Sequence, residues 1–362
     1  MKVLILWTQW TGYMDACARE LQALLGCELD IACLPRGDAD QKFFEENLFK
    51  FPCNRHVMSA ETLAYIERQR YALILVCGWH IPQFREIARR CRGRSVRLLC
   101  MDNQWSASMR QYAGMVAFRG HLRTLYDFAF VPGARQARFA SRLGFSADEI
   151  IEGHLSCADT FGEAPRTRGS RSFLYVGRLV PAKGVEHLAK AWALYVRDNA
   201  DPWTLTICGE GPLKTMFEGA PHVARLGFVQ PSELPAVMAQ ACALVLPSVR
   251  EPWGVVVQEA AKAGLGLLLT TACGAADYFL RDGLNGRLTS PGDPAALCEA
   301  LEWFEGLDAQ RLDEVSETSV RLGAQRSPLS WACNASRALV PARPTRAARP
   351  RTVRLQEGMA GE

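Results

Sequence analysis

The chain has 362 residues, 49% hydrophobic and 22% charged, which excludes a disordered chain and is too long for one ordinary core, so two domains of common size are expected. The formal charge of +4 does not point to nucleic acid, because residues 341–362 carry five Arg against two Glu and hold +3 of it. The 13 Cys are odd in number and contain no C-x-x-C pair; Cys77, Cys100, Cys208 and Cys242 sit in apolar runs, which reads as small buried hydrophobes in a reducing compartment, not a disulfide frame or a zinc site.

The first apolar run, 3–7, is too short for a signal-peptide core or a membrane span and reads as a strand buried on both faces, so a cytoplasmic protein is expected. A helical pattern follows at 14–25, then a strand at 29–34, a helix at 60–70, a strand at 72–77, a helix at 83–91 and a strand at 96–101. This alternation predicts a doubly wound parallel sheet. The loop Asp102-Asn103-Gln104-Trp105 leaves it where such sheets place ligands, and 128–131 with Pro132-Gly133 closes the half. Residues 138–161 lead out of this first domain, 1–161, and the Arg/Gly/Pro-rich stretch 162–172 reads as a linker. A second α/β domain is expected over 172–325, with strands at 173–176, 204–208, 223–226, 243–246 and 267–270. A helix at 297–304 and a closing one near 329–339, within a segment 326–340, complete it; 341–362 has almost nothing to bury and reads as disordered.

The most informative stretch is 248–264, "SVREPWGVVVQEAAKAG". The run 243–246 reads as a buried strand, 247–254 as a loop and 255–263 as a helix stopped by Gly264. The free N–H groups at such a helix start (Gly254, Val255, Val256) favour an anion, and Gly254 lets a ligand approach the backbone. Glu251 in the loop and Glu259 on the helix can each accept hydrogen bonds from hydroxyl pairs, which suits a ligand combining phosphate with sugar.

The Glu-x7-Glu spacing of Glu251 and Glu259 resembles the signature of the retaining nucleotide-sugar glycosyltransferases of glycosyltransferase family 4, the group 1 enzymes, which have the GT-B fold of two Rossmann-like domains facing a cleft. The neighbouring pieces come in the family's order: "FLYVGRLVPAKGV", "LTICGEGPL", "RLGFVQPSEL" and "CGAADYFLRDGLNGRL". The likeness is dense over 172–305 and diffuse before it; "LSWACNASRAL" is similar to the family's segment that crosses back to the first domain.

The resemblance implies transfer of a hexosyl group, with retention, from a UDP- or GDP-sugar to an acceptor hydroxyl on a glycan, a lipid-linked glycan or a small molecule. It makes Gly177, Arg178 and Lys183 the diphosphate ligands, Glu259 the ribose ligand, Glu251 the ligand of the transferred sugar, and Phe228-Val229 the nucleobase contact. A solvated turn is the alternative for the cation pair, and a core aromatic for Phe228. Asp102 is the acceptor-side candidate. Gly209-Glu210-Gly211 lacks the third glycine of a dinucleotide fingerprint, since Lys214 stands there, and reads as a tight turn. Asp277 reads as an acidic cap; His80 follows a first-domain strand and can sit in the cleft, with a structural histidine as the commoner outcome. Asp38-Ala39-Asp40 has the D-x-D form of a metal-binding motif but precedes a helical pattern, so capping explains it; no metal and no cofactor are expected. Two alternatives stay open: a nucleotide-sugar epimerase of the same fold, and a non-catalytic GT-B subunit that binds a partner. Peripheral contact with the inner face of a membrane is also left open.

Overall fold

The structure, a computed structural model, describes residues 1–35, 48–163 and 170–340. Two all-parallel sheets organise it. The first has the order β3-β2-β1-β4-β5-β6-β7, from β1 (Lys2–Trp7), β2 (Glu28–Cys33), β3 (Asn54–Val57), β4 (Leu73–Cys77), β5 (Val96–Cys100), β6 (Phe128–Val131) and β7 (Ile150–Glu152). The second has the order β10-β9-β8-β11-β12-β13, from β8 (Ser172–Val176), β9 (Thr204–Cys208), β10 (Val223–Gly227), β11 (Ala243–Leu246), β12 (Gly266–Thr270) and β13 (Gly286–Thr289).

Between the strands of the first sheet run α1 (Gly12–Leu25), α2 (Ala60–Arg68), α3 (Pro82–Arg90), α4 (Met109–Ala117) and α5 (Ala134–Arg142). The second half carries α6 (Val185–Arg197), α7 (Leu234–Met238), α8 (Val255–Lys262), α9 (Ala276–Phe279), α10 (Pro294–Glu305) and α11 (Ala309–Gly323), and α12 (Pro328–Ser336) follows. The sequence reading missed β3, β7, β13, α4 and α11. Residues 138–161 do not simply lead away from the first sheet: they finish α5 and add β7 to its edge.

Strand periodicity builds the first core on both faces of its sheet. Leu4 and Leu6 join one apolar cluster, whereas Val3, Ile5 and Trp7 join the other with Met14, Cys17 and Leu21 of α1. Trp331, Ala332 and Ala335 of α12 belong to that second cluster, so the last helix packs on the first half. Trp331 Nε1 donates to His154 Nδ1 at 3.1 Å, satisfying the one polar atom of a fully buried indole. Each fully buried Leu, Val or Phe of these clusters contributes about 1.5–3 kcal/mol.

The carboxyl ends of the two sheets meet. Gln104, after β5, and Gln136, in α5, both donate their amides to the Pro252 carbonyl in the loop after β11, at 2.7 and 2.5 Å. Arg135 pairs with Asp277 and also donates to the Thr271 carbonyl at 2.8 Å, while Arg326 donates to the Pro132 carbonyl at 2.6 Å. Open parallel sheets bind ligands beyond their strand carboxyl ends, where the strand order reverses. In the second sheet that point lies between the neighbours β8 and β11.

Candidate active site

Two loops meet at that switch point. The first, 177–184, follows β8; the second, 247–254, follows β11. They are fastened by backbone bonds, since Val249 N and Arg250 N both donate to the Ala182 carbonyl at 3.1 and 3.0 Å. Gly184 permits the contact: its φ is +69°, and a Cβ there would stand 1.9 Å from the Pro247 carbonyl oxygen. The junction brings Lys183 Nζ into an ion pair with Glu251 Oε2, and Ser248 Oγ lies 3.5 Å from the same oxygen. Glu251 is 7% exposed, and a carboxylate so removed from water needs such a partner.

Glu251 is also held through its backbone. It forms a parallel bridge with Cys273, and Gly274 N donates to its carbonyl at 3.1 Å. Gly254, with φ +94°, caps α8 immediately before Val255; a Cβ there would lie 3.2 Å from Glu251 Cγ. The free N–H groups of α8 therefore begin beside the Lys183–Glu251 pair. Arg178 is exposed on the loop after β8, where the Tyr175 hydroxyl donates to its carbonyl at 2.9 Å. Backbone, cation and carboxylate thus converge, and such a group can hold an anion next to a hydroxyl-rich ring.

Gly177 lies at the end of β8, and its N–H donates to the Cys208 carbonyl at 2.9 Å. The Gly209-Glu210-Gly211 turn packs directly on this loop, for a Cβ on Gly209 would meet the Gly177 carbonyl oxygen at 1.9 Å. That is a structural turn, as its missing third glycine suggests. Phe228 and Val229 follow β10 and are half-buried, with Val229 against the second core. Glu259 and Val256 are half-buried on α8.

From the first half, Asp102 lies just beyond β5, where it lines a cavity of about 260 Å³ with Thr8, Gln9, Tyr13, Cys77 and His154. It keeps a solvent-facing surface but is ringed by protein; this desolvation, and then the charge of Glu251, raise its carboxyl above the usual aspartate range. Burial pushes the Cys77 thiol up to about 12, with Asp102 adding to the shift, and burial pushes Cys273 to about 12 with Glu251 adding. Neither is a nucleophile at neutral pH.

Asp277 is in the first turn of α9 and pairs with Arg135, joining the two halves. His80 is exposed. Asp38 and Asp40 lie outside the described residues. Among the described residues no group of three or more His, Cys, Asp and Glu is placed to hold a metal ion.

Sequence reasoning missed three glutamines. Gln104 and Gln136 grip the Pro252 carbonyl, next to Glu251. Gln258, fully buried, accepts from Cys157 N at 3.0 Å and donates to the Arg326 and Gly323 carbonyls at 2.8 and 3.2 Å, pinning both segments that pass between the halves to α8. The only signal in the sequence was a neutral amide next to Glu259 on the expected helix.

Residues 170–304 match the family model described as glycosyl transferases group 1. An uncharacterised glycosyltransferase, YqgM of Bacillus subtilis, is 27% identical over 140 residues, 37% of this chain and 39% of its own length. The glycogen synthase of Mycobacterium tuberculosis is 37% identical over 144 residues, 38% of this chain and 34% of its own. The chain thus spans well under half the length of these curated relatives. In structure, the Anabaena protein HepE in complex with UDP-glucose superposes with a TM-score of 0.72, covering 94% of this chain and 99% of that one at 16% identity. No helix among the described residues is long and apolar enough to cross a membrane. The chain has the GT-B fold, and within it residues 170–304 are similar to a group 1 glycosyltransferase domain.

Proposed function

We propose that this chain is a retaining hexosyltransferase, of the kind grouped in glycosyltransferase family 4, that moves a sugar from a nucleotide diphosphate sugar to an acceptor hydroxyl. The observation that carries this reading is the Lys183–Glu251 pair beside the start of α8, at the switch point of the second sheet. Residues 172–325 hold the donor, residues 1–161 choose the acceptor, and 326–340 tie the two. Arg178, Lys183 and the N–H groups at Gly254, Val255 and Val256 take the diphosphate, with Gly177 giving it room. Glu259 takes the ribose, Phe228 and Val229 the base, Glu251 the transferred sugar, and Asp102 the acceptor side. The acceptor oxygen bonds to the anomeric carbon as the bond to the diphosphate breaks. The electron pair leaves with the nucleotide diphosphate, and the hydroxyl proton follows it.

HepE was crystallised with UDP-glucose, which makes that compound the first donor to try, with GDP-sugars beside it. The product is a glycan or related glycoconjugate made in the cytoplasm or at the inner membrane face. The test is to incubate the protein with each nucleotide sugar and an acceptor panel, then follow nucleotide release and the anomeric protons of any product by NMR. Release of UDP or GDP together with a glycoside of the donor's own anomeric configuration is expected. An isomerised sugar nucleotide would make the protein an epimerase; no affinity for any nucleotide sugar would make it a partner-binding subunit.

A further inference from the structure

A second cavity, of about 530 Å³, opens one residue from Glu251. Its size is within the range of small-molecule sites, about 300–1,000 Å³. Arg250 lines it from the second half; Trp79 and His80 after β4, Asn103 and Ser106 after β5, and Arg110 in the first turn of α4 line it from the first. The acceptor-side loop is fixed in place there. Gln111 accepts from Ser106 N and donates to the Gln104 carbonyl, both at 2.6 Å, and Gln104 in turn donates to the Pro252 carbonyl, so the wall is tied to the loop that carries Glu251.

The charge of this cavity is one-sided. Among the described residues no Asp or Glu lines it, and neither Arg110 nor Arg250 has an ion-pair or side-chain hydrogen-bond partner. Arg135, also at the junction, is by contrast bonded to the carboxylate of Asp277. Two unpaired guanidinium groups on one hollow make it attractive to an anion, and their planar forks match a carboxylate or phosphate. Trp79 is held edge-on against Phe118, with ring centroids 5.3 Å apart, and leaves part of its ring on the cavity. An indole surface beside Asn and Ser side chains takes the apolar face and the hydroxyls of a sugar ring.

We propose that this cavity binds the acceptor and that the acceptor is an anionic sugar, bearing a phosphate or a carboxylate held by Arg110 and Arg250. The proposal rests on the transferase reading above, because it takes the bound sugar's hydroxyl to meet the donor beside Glu251.

The test is calorimetric titration of glucose, glucose 6-phosphate and glucuronate into the full chain, with UDP saturating so that phosphate cannot enter the diphosphate site. At least one charged sugar is expected to bind at least about tenfold tighter than glucose, the difference that one charge-assisted contact makes. The phosphate and carboxylate arms decide which group the cavity prefers. Arg110→Gln and Arg250→Gln should each remove most of that difference, whereas Arg138→Gln, an exposed arginine outside the cavity, should keep it. All three side chains are exposed, and a thermal melt confirms that the variants fold. The proposal is overturned if glucose binds as tightly as both charged sugars, if neither charged sugar binds at millimolar concentration, or if the preference survives both substitutions. A chain that ignores UDP but still prefers a charged sugar through Arg110 would overturn the transferase reading and leave the cavity's ligand class standing.

Discussion

Lys183 and Glu251 lie 68 residues apart and on different loops, yet the two side chains form an ion pair at the carboxyl ends of the adjacent strands β8 and β11. In the proposed reaction the pair would matter because a lysine on a flexible stem can exchange one anion for another. On the proposed transferase reading, an arriving diphosphate would give the ammonium a second partner and release the carboxylate toward the sugar.

The first prediction follows from that exchange. Negative charge builds on the departing diphosphate, so fixed cations act more strongly in the transition state than on bound donor. Lys183→Ala and Arg178→Ala should each lower kcat by about 100- to 1000-fold while changing donor Kd far less. Lys183→Ala also strands the Glu251 carboxylate, so its melting temperature should fall; Arg178 is exposed, and its variant is the cleaner measurement. A loss confined to donor affinity would show that these cations merely bind.

Glu259 supplies the second prediction. It stands on α8 just over one turn after Glu251's loop, and a carboxylate there accepting from ribose hydroxyls would contribute about 1.5–3 kcal/mol. Glu259→Ala should therefore weaken UDP or GDP binding by at least about tenfold, and Glu251→Ala should spare the free nucleotide while slowing the sugar-dependent step. Unchanged nucleotide affinity in the Glu259 variant would sink the assignment.

The fold was legible where burial leaves a period. The run Ala243–Leu246 and the good helix formers of Val255–Lys262 announce a buried strand and a helix, and the structure has both. What escaped notice lies at edges and surfaces. Strands β3 and β7 are the two edges of their sheet, short and partly exposed, so they carry no apolar run; β13, one edge of the other, exposes its two middle residues. No residue of α4 is buried, and a helix with no buried face has no stripe to read. The candidate site was legible as far as its loop motifs reached. The positioning amides were not, because Gln104 meets Pro252 across 148 residues and Gln258 meets Cys157 across 101, distances that no local spacing encodes.

The junction of the halves should respond to acid. His154 is buried among Trp7, Phe130 and Trp331, and burial, with Arg326 adding, pushes its imidazole down to about 3. The unfolded chain takes up this proton near pH 6.5, the folded chain only near 3, so the unfolded state binds more protons throughout that window. Stability must then rise with pH across the window and fall on acidification. From about pH 7 to about pH 5 the loss from this one group is roughly 2 kcal/mol. His154→Gln keeps an acceptor for the Trp331 N–H and cannot titrate there, so denaturant unfolding of wild type and variant should diverge by that amount as the pH is lowered. Parallel pH dependences would mean that His154 does not set the acid sensitivity.

The last prediction is that turnover needs no divalent metal. A diphosphate leaving group must meet positive charge, and in many transferases a bound metal ion provides it. On the proposed reading Arg178, from the loop after β8, joins Lys183 and the start of α8 at Gly254 to Val256 in meeting the diphosphate, which would give the leaving group two formal charges and a dipole end without an ion. If these groups do that work, wild-type turnover persists in excess EDTA. Added Mg²⁺ or Mn²⁺ then changes kcat by less than the roughly 100-fold that removing a single fixed cation produces. The metal titration and the Lys183→Ala variant must agree, because both probe the same charge: a variant crippled in EDTA but restored by Mn²⁺ would show that an ion can replace the ammonium and would support the assignment. Abolition of wild-type turnover by EDTA, with recovery on adding Mn²⁺ or Mg²⁺, would overturn it and direct attention to Asp38 and Asp40.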